Sequence, residues 1–326
     1  MKSFATRTLP LISAALFAFS FSASAQATVI DLGVANGYSA FIFGNIGSSA
    51  ASGFTSVGGS IAAGGDIFLN SYSVGTNKNA GSAANTVVAG GSLNTGWGTL
   101  NGSAVYGVSN PNGTLTAPQW FPTSNISKGN SSVLDFAGAK QQLTTLSSDV
   151  AKLQSNGTVV SQYGNMTLVG DINADVNIFT INANDLHNLT LDLSSLKSTA
   201  SIIINGTATN ITMSGGFDNF GSYASRTLFN FANATTTSLN NAGINGSILA
   251  PNAAFSGSGN MNGTLIADSV SSINSGHVSM NGAGFNTVSV SAVPEPGTYA
   301  MLLAGLGVLA FLRRRTPARA PQVAMA

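Results

Sequence analysis

Short apolar runs separated by glycine and asparagine occupy most of this chain. Phe41 to Phe43, Ile61 to Ala63 and Ile67 to Leu69 each lie between glycine clusters, and the apolar-Ala-Gly-Gly phrase ending at Gly64-Gly65 returns at Gly90-Gly91. Farther on, Ile178 and Thr180, then Leu189, Leu191 and Leu193, read as alternating positions before the continuous run Ile202 to Ile204. Such runs and punctuation predict many short strands joined by tight turns.

One phrase recurs at a measured interval. Asn245-Gly246-Ser247-Ile248-Leu249-Ala250 returns seventeen positions later as Asn262-Gly263-Thr264-Leu265-Ile266-Ala267, and Asn281-Gly282 follows nineteen positions after that. Asn-Gly also marks hairpins, but a hairpin does not demand a fixed repeat. A period of about seventeen to twenty residues is too short for a helical hairpin and suits one coil of a β-solenoid. Each coil then buries a few aliphatics, here Ile248, Leu249, Leu265 and Ile266. Asn-Gly takes the corner, where positive φ and close backbone approach are needed. A β-sandwich is the alternative architecture.

A different periodicity appears between Ser132 and Gln154. Phe136, Ala139, Leu143, Leu146, Val150 and Leu153 fall three and four apart, which predicts an amphipathic helix over about 132–154. Ser132-x-x-Asp135 reads as a capping-box-like start and Asn156-Gly157 as the stop. The seam would serve a helix laid on a sheet or, alternatively, a coiled coil. Pro111, Pro118 and Pro122 make the preceding stretch a loop.

Composition sharpens this picture. Charged residues are 7% of the 326, against about 25% in an ordinary soluble protein, while hydrophobics at 44% are ordinary. Serine, threonine, asparagine and glycine fill the difference, which suits hydroxyl- and amide-coated strands rather than disorder. There is no cysteine, so disulfides, thiol nucleophiles and thiolate metal sites are excluded. Six of the twelve Lys/Arg lie at the termini; the remaining six face ten aspartates and leave the central region at net −4. No basic patch is left to engage phosphates, which argues against nucleic-acid binding.

The two ends have their own logic. Lys2 and Arg7 precede an apolar stretch from Leu9 to Phe21 and the small-x-small sequence Ala23-Ser24-Ala25, so residues 1–25 are expected to be a signal peptide removed on export. At the other end, Val293-Pro294-Glu295-Pro296 leads into an apolar segment over 297–312 and then Arg313-Arg314-Arg315. Sixteen residues of helix span about 24 Å, short of a hydrocarbon core of about 30 Å. The arginines should stay cytoplasmic and leave everything before them outside. Pro294, Glu295, Pro296, the short span and the arginine cluster together resemble the PEP-CTERM sorting signal. That resemblance implies handling by an exosortase, a membrane protease-transpeptidase, in a Gram-negative bacterium that makes extracellular polysaccharide.

The body between these ends, roughly Val29 to Phe285, resembles the choice-of-anchor A family. The likeness rests on "FIFGNIGSSAASGFTSVGGSIAAGGDIFLNSYSVG", "DVNIFTINANDLHNLTLDLSSLKSTASIIINGT" and the repeat region from Arg226 to Val270. It implies an adhesive, β-helix-like surface domain and carries no enzymatic residues. The repeat from Asn245 is also similar to the coils of bacterial ice-binding β-helices.

Chemistry is sparse. The two histidines, His187 and His277, sit in polar, turn-like surroundings; no Gly-x-Ser-x-Gly elbow or phosphate-binding loop occurs, and Glu295 is the only glutamate. Paired carboxylates for polysaccharide cleavage are in short supply, and no cofactor or catalytic residue is expected. One candidate cation row is Asp171, Asn173, Asp175 and Asn177: alternate positions of a strand face one side and would align four oxygen-bearing side chains for Ca²⁺. The plainer account is a solvated polar strand face. Val176 and Asn182 stand where an EF-hand loop needs glycine and glutamate. Ice binding would favour threonine rows in register, and Thr207-Ala208-Thr209 and Thr235-Thr236-Thr237 do not repeat that way.

The sequence therefore predicts a mainly β protein: a signal peptide (1–25), one β-solenoid domain (26–290) with an accessory helix, and a sorting tail (291–326). Its expected role is an exported, non-enzymatic surface or matrix protein, transiently tethered to the inner membrane by its tail. Exosortase is the expected processing partner, and extracellular polysaccharide or neighbouring surface proteins are the expected ligands. The alternatives are a polysaccharide-active enzyme on a β-helix and an ice-binding-like protein. Tyr72, Trp97 and Trp120 are aromatics that could meet sugars or belong to the core.

Overall fold

The computed structural model describes residues 27–50, 52–70, 72–77, 83–109, 126–129, 134–271, 278–282, 284–290 and 303–309. The chain divides into a unit Thr28–Val290 and a second unit made of the residues at both ends. Of the second unit, a helical stretch at 303–309 is described, inside the predicted span, with Leu303, Leu306, Val308 and Leu309 exposed. No helix among the described residues is long and apolar enough to cross a membrane. Ala23, Ala25, Pro294, Glu295, Pro296, Arg313, Arg314 and Arg315 lie outside the described residues.

Thr28–Val290 is a β-solenoid with three sides. On side A ten strands form one parallel ladder. In spatial order these are Val176–Ile181, Ser201–Gly206, Thr227–Asn230, the start of Ser247–Asn262, the start of Leu265–Val270, Ala40–Ile42, Ile61–Ala63, Val87–Ala89, Ala104–Tyr106 and Ile126–Lys128. This resolves the choice against a sandwich, whose sheets are built from antiparallel strands. On side A successive rungs are seventeen to twenty-six residues apart: Ile248 faces Leu265 and Val87 faces Ala104, whereas Ile61 faces Val87. The repeat seen in the sequence is thus the short limit of a variable coil.

Spatial order differs from chain order. The chain enters the ladder in its middle at Ala40–Ile42 and winds outward to Ile126–Lys128. It restarts at the far end with Val176–Ile181, then winds back until Leu265, Ile266 and Ala267 pair with Ala40, Phe41 and Ile42. The antiparallel pair Thr28–Ile30 and Val288–Val290 brings the unit's two termini together.

Side A explains the continuous apolar runs. Ile202, Ile204, Ile248, Leu265, Ile42 and Ile61 point into the coil, while Ile203, Leu249, Ile266, Phe41, Ala62 and Val88 point out and are equally buried. A sheet covered on both faces needs uninterrupted hydrophobic strands. The outer cover is the helix Phe136–Ala151, whose Ala139, Leu143 and Val150 pack on this stripe. The seam is therefore a helix laid on a sheet. It starts at Asp135, whose carboxylate accepts from Gly138 N at 2.8 Å, so Asp135 is the cap itself and not the fourth member of a box begun at Ser132, which lies outside the described residues.

Asn156-Gly157 does not stop the helix, which ends five residues earlier at Ala151. Instead Asn156 closes the end of the solenoid. Its Nδ2 donates to Val176 O at 2.8 Å and its Oδ1 accepts from Ile178 N at 2.7 Å, covering polar groups of the terminal strand of side A. Of the other two sides, B is formed by residues 185–187, 210–214, 236–240 and 254–258 and C by 189–191, 217–218, 242–245, 259–262 and Val278–Met280. The terminal strand of side C, 189–191, is likewise met by an antiparallel hairpin, Thr158–Gln162 with Asn165–Val169, turning at Tyr163 and Gly164 with φ of 50° and 80°. Leu193, read as part of an alternating strand, falls in a 3-10 turn and is exposed; the strand ends at Leu191.

The repeated Asn-Gly pairs sit at the corner between sides C and A. There the glycines stack: a Cβ on Gly263 would lie 2.2 Å from Gly246 O, and one on Gly282 would lie 2.7 Å from Gly263 O. Close passage of backbone over backbone is what glycine supplies at this corner.

Candidate functional site

Sides B and C present the outer surface left free by the helix. Their strands alternate, with apolar side chains inward and short polar ones outward. On side B, Asp185 faces Thr212, Thr212 faces Ser238, and Ser238 faces Ser256, one residue per rung; a neighbouring row runs Asn210, Thr236, Ala254 and Ser269. Hydroxyls and amides link the rungs: Thr236 Oγ1 donates to Asn210 Oδ1 at 2.8 Å, and the Thr212 and Ser238 hydroxyls lie 3.1 Å apart. On side C a row runs Gly243, Asn260, Ser279, Ser56, Ser73 and Thr99. Rungs separated by about 4.8 Å therefore repeat donors and acceptors along the axis.

The rows are not threonine ladders. On side B, Thr236 stands between Asn210 and Ala254, and Thr237 is turned into the core.

The structure brings an Asp, a Ser and a His together on side B, in an arrangement that disarms the serine. Ser214 Oγ donates to Asp185 Oδ1 at 2.7 Å, which commits the hydroxyl proton to the carboxylate. Gly216 N donates to Asn188 Oδ1 at 2.8 Å, and this fixes the amide so that Asn188 Nδ2 donates to His187 Nε2 at 2.9 Å. Nε2 is then the acceptor, Nδ1 carries the proton, and the 2.9 Å contact with Ser214 Oγ is donated by the imidazole. A catalytic triad needs the opposite polarity, with histidine accepting from the serine. Ser214 is also only 6% exposed. His277 lies outside the described residues.

The row Asp171, Asn173, Asp175 and Asn177 is not one strand face, because the strand begins only at Val176. Asp171 Oδ1 accepts from Asn173 N at 2.9 Å, Asp175 pairs with Lys197 at 2.7 Å, and Asn177 is fully buried with its Oδ1 accepting from Asp171 N at 2.7 Å. Among the described residues no three His, Asp or Glu side chains converge on a point where a metal would sit.

The aromatics divide cleanly. Tyr72 is interior, and desolvation pushes its pKa up to about 12 against the lowering effect of a hydrogen bond from Thr95; burial also raises Tyr38. Trp97 is 66% exposed, and Trp120 lies outside the described residues.

Residues 31–280, well over half of the chain, match the family described as "Putative Ice-binding-like adhesive domain". The chain belongs to that family. Residues 292–315 match the PEP-CTERM protein-sorting motif, the signature of an exported protein that is sorted at the membrane and processed by an exosortase. No curated protein matches the chain. Among solved structures, the ice-binding protein from an Antarctic ascomycete, Antarctomyces psychrotrophicus, is similar at 16% identity with a TM-score of 0.36, covering 82% of this chain and all of that one. An ice-binding-like adhesive domain with a sorting motif after it is the organisation of a surface protein.

Proposed function

We propose that this ice-binding-like adhesive domain is a non-enzymatic adhesin of the choice-of-anchor A type that holds extracellular polysaccharide at the surface of a Gram-negative cell. In this scheme residues 1–25 are removed on export. The segment 297–312 halts the chain in the inner membrane, and exosortase cuts near Pro294-Glu295-Pro296 before the domain joins a biofilm or floc matrix. One observation carries the reading: two of the three sides carry in-register rows of short, mostly uncharged polar side chains, while the third is covered. Repeated weak hydrogen bonds from such rows suit a repetitive, hydroxyl-rich polymer better than a compact substrate.

Purified protein is expected to bind isolated exopolysaccharide, or cells coated with it, while releasing neither reducing ends nor unsaturated sugars. Release of either, abolished by substituting a single carboxylate, would replace the adhesin with an enzyme; thermal hysteresis without glycan binding would replace it with an ice binder. Mass spectrometry of the exported protein is expected to find a new C-terminus near Pro296. A mass that still includes Arg313 to Arg315 would mean that the tail is a permanent anchor.

A further inference from the structure

The repeated asparagines of the Asn-Gly corners form a column on side C. Asn245 faces Asn262 directly, and Asn262 Nδ2 donates to Asn245 Oδ1 at 3.3 Å. Met261 faces Met280, which sets Asn281 one rung beyond Asn262. Met280 in turn faces Val57, so the next position in the column is Gly58, whose missing side chain leaves Asn281 and Asn77 on either side of it. The column thus continues across the seam where the chain's last rung docks on its first.

These amides line a shallow groove with Asn260 and Gly243 beside them. Among the described residues, none that lines it is ionisable. A Cβ on Gly243 would meet nothing within 4 Å, so that position is open space at the groove floor. Among the described residues Lys140, Lys152 and Lys197 are each paired with an aspartate, Arg226 donates to the carbonyls of Ser198 and Ala200, and neither these nor Lys128 lines the groove.

We infer that this asparagine-lined groove is a subsite for a neutral polysaccharide chain running along the solenoid axis. The inference rests on the adhesive reading above and narrows its ligand. Each carboxamide offers two donors and an acceptor with two lone pairs, which is the complement of a sugar hydroxyl, and the column offers them once per rung. A uronate or sulfated glycan would leave its anionic groups beside unionised amides, with no cation among the described lining residues to pair them, a costly arrangement in a partly desolvated groove. The 3.3 Å contact between Asn262 and Asn245 is long for a hydrogen bond, and the Asn245 and Asn262 amides keep donors free for a ligand.

The test is affinity electrophoresis of the full protein in gels containing dextran, mannan or hydroxyethylcellulose as neutral probes, and alginate as the acidic one. Wild type is expected to be retarded by at least one neutral probe and not by alginate. Gly243→Phe fills the groove without removing a hydrogen bond, and Asn262→Ala/Asn281→Ala removes the central amides. Each is expected to weaken that retardation by at least about tenfold, with the melting temperature of Gly243→Phe unchanged. Equal retardation of Gly243→Phe and wild type overturns the site while leaving the adhesin standing. Loss of stability in the double variant with binding intact makes the column structural only and also overturns the site. If no glycan of either class retards the wild type, both the site and the polysaccharide reading fail.

Discussion

Replacing Gly263 by valine is expected to lower the unfolding free energy by about 3 kcal/mol, with a matching fall in the urea midpoint. A Cβ there would sit 2.2 Å from Gly246 O and 2.4 Å from Gly246 C, both backbone atoms of the rung below. A side chain in the way could rotate; a backbone carbonyl locked into the ladder cannot. Gly246 N itself donates to Asn262 O at 2.9 Å, so relieving the clash means opening the hydrogen bonds of the corner. Two further methyl groups on the Cβ of valine add to the overlap. Valine at Gly243, on the neighbouring rung and facing open space, is expected to change stability by less than about 0.5 kcal/mol. If both variants melt together, the backbones do not pass closely at this corner.

The second large effect is expected at Asn230. Where the helix lies on side A, the buried stripe includes two asparagines facing one another, Asn205 and Asn230. Asn230 Nδ2 donates to Ser147 O at 2.9 Å and to Asn205 Oδ1 at 2.8 Å, and its Oδ1 accepts from Ser147 Oγ at 2.6 Å. Asn205 Nδ2 then donates to Val150 O at 3.0 Å, satisfying a carbonyl near the helix end. Asn230→Leu keeps the volume but strips partners from the Ser147 hydroxyl and from Asn205 Oδ1 in a dry interface. The expected cost is about 3 kcal/mol, because buried polar groups deprived of partners lose their full solvation. Faster amide hydrogen exchange across Phe136–Ala151 should accompany it, since these bonds peg the helix to the sheet. Adding Ser147→Ala removes one orphaned group and is expected to recover part of the loss, a non-additivity that a double-mutant cycle measures. Purely additive losses would show that the network is not a unit.

Much of the architecture can be recognised along the chain because its causes are local. The three-and-four spacing from Phe136 to Leu153 makes a helix wherever it finds a partner. The Asn-Gly pairs at 245, 262 and 281 mark corners through a backbone requirement that glycine alone meets. Other signals were ambiguous for equally physical reasons. Asn156-Gly157 has the form of a helix stop, yet its amide serves an edge strand twenty residues away in sequence. Asp171 to Asn177 has the spacing of a strand row, but the strand begins only at Val176, and Asn177 is drawn inside. His187, Ser214 and Asp185 carry no spacing signal, because parallel rungs of variable length bring them together; only the direction of each hydrogen bond separates this cluster from a triad.

The amino-acid order alone settles the rung: which residues run apolar, where the chain must turn, which segment is helical, and that the C-terminal end bears a sorting motif. It does not settle the stacking. The edge of every parallel strand offers the same backbone donors and acceptors, so nothing local says that Ala40–Ile42 will pair with both Ile61–Ala63 and Leu265–Ala267. That closure is a balance of contacts between residues more than two hundred positions apart. It creates features no segment contains: an outward stripe assembled from both halves for the helix to cover, and an asparagine column that passes from Asn281 over Gly58 to Asn77. Side-chain periodicity is a property of a segment, whereas the surface a solenoid offers belongs to the order in which its rungs are laid.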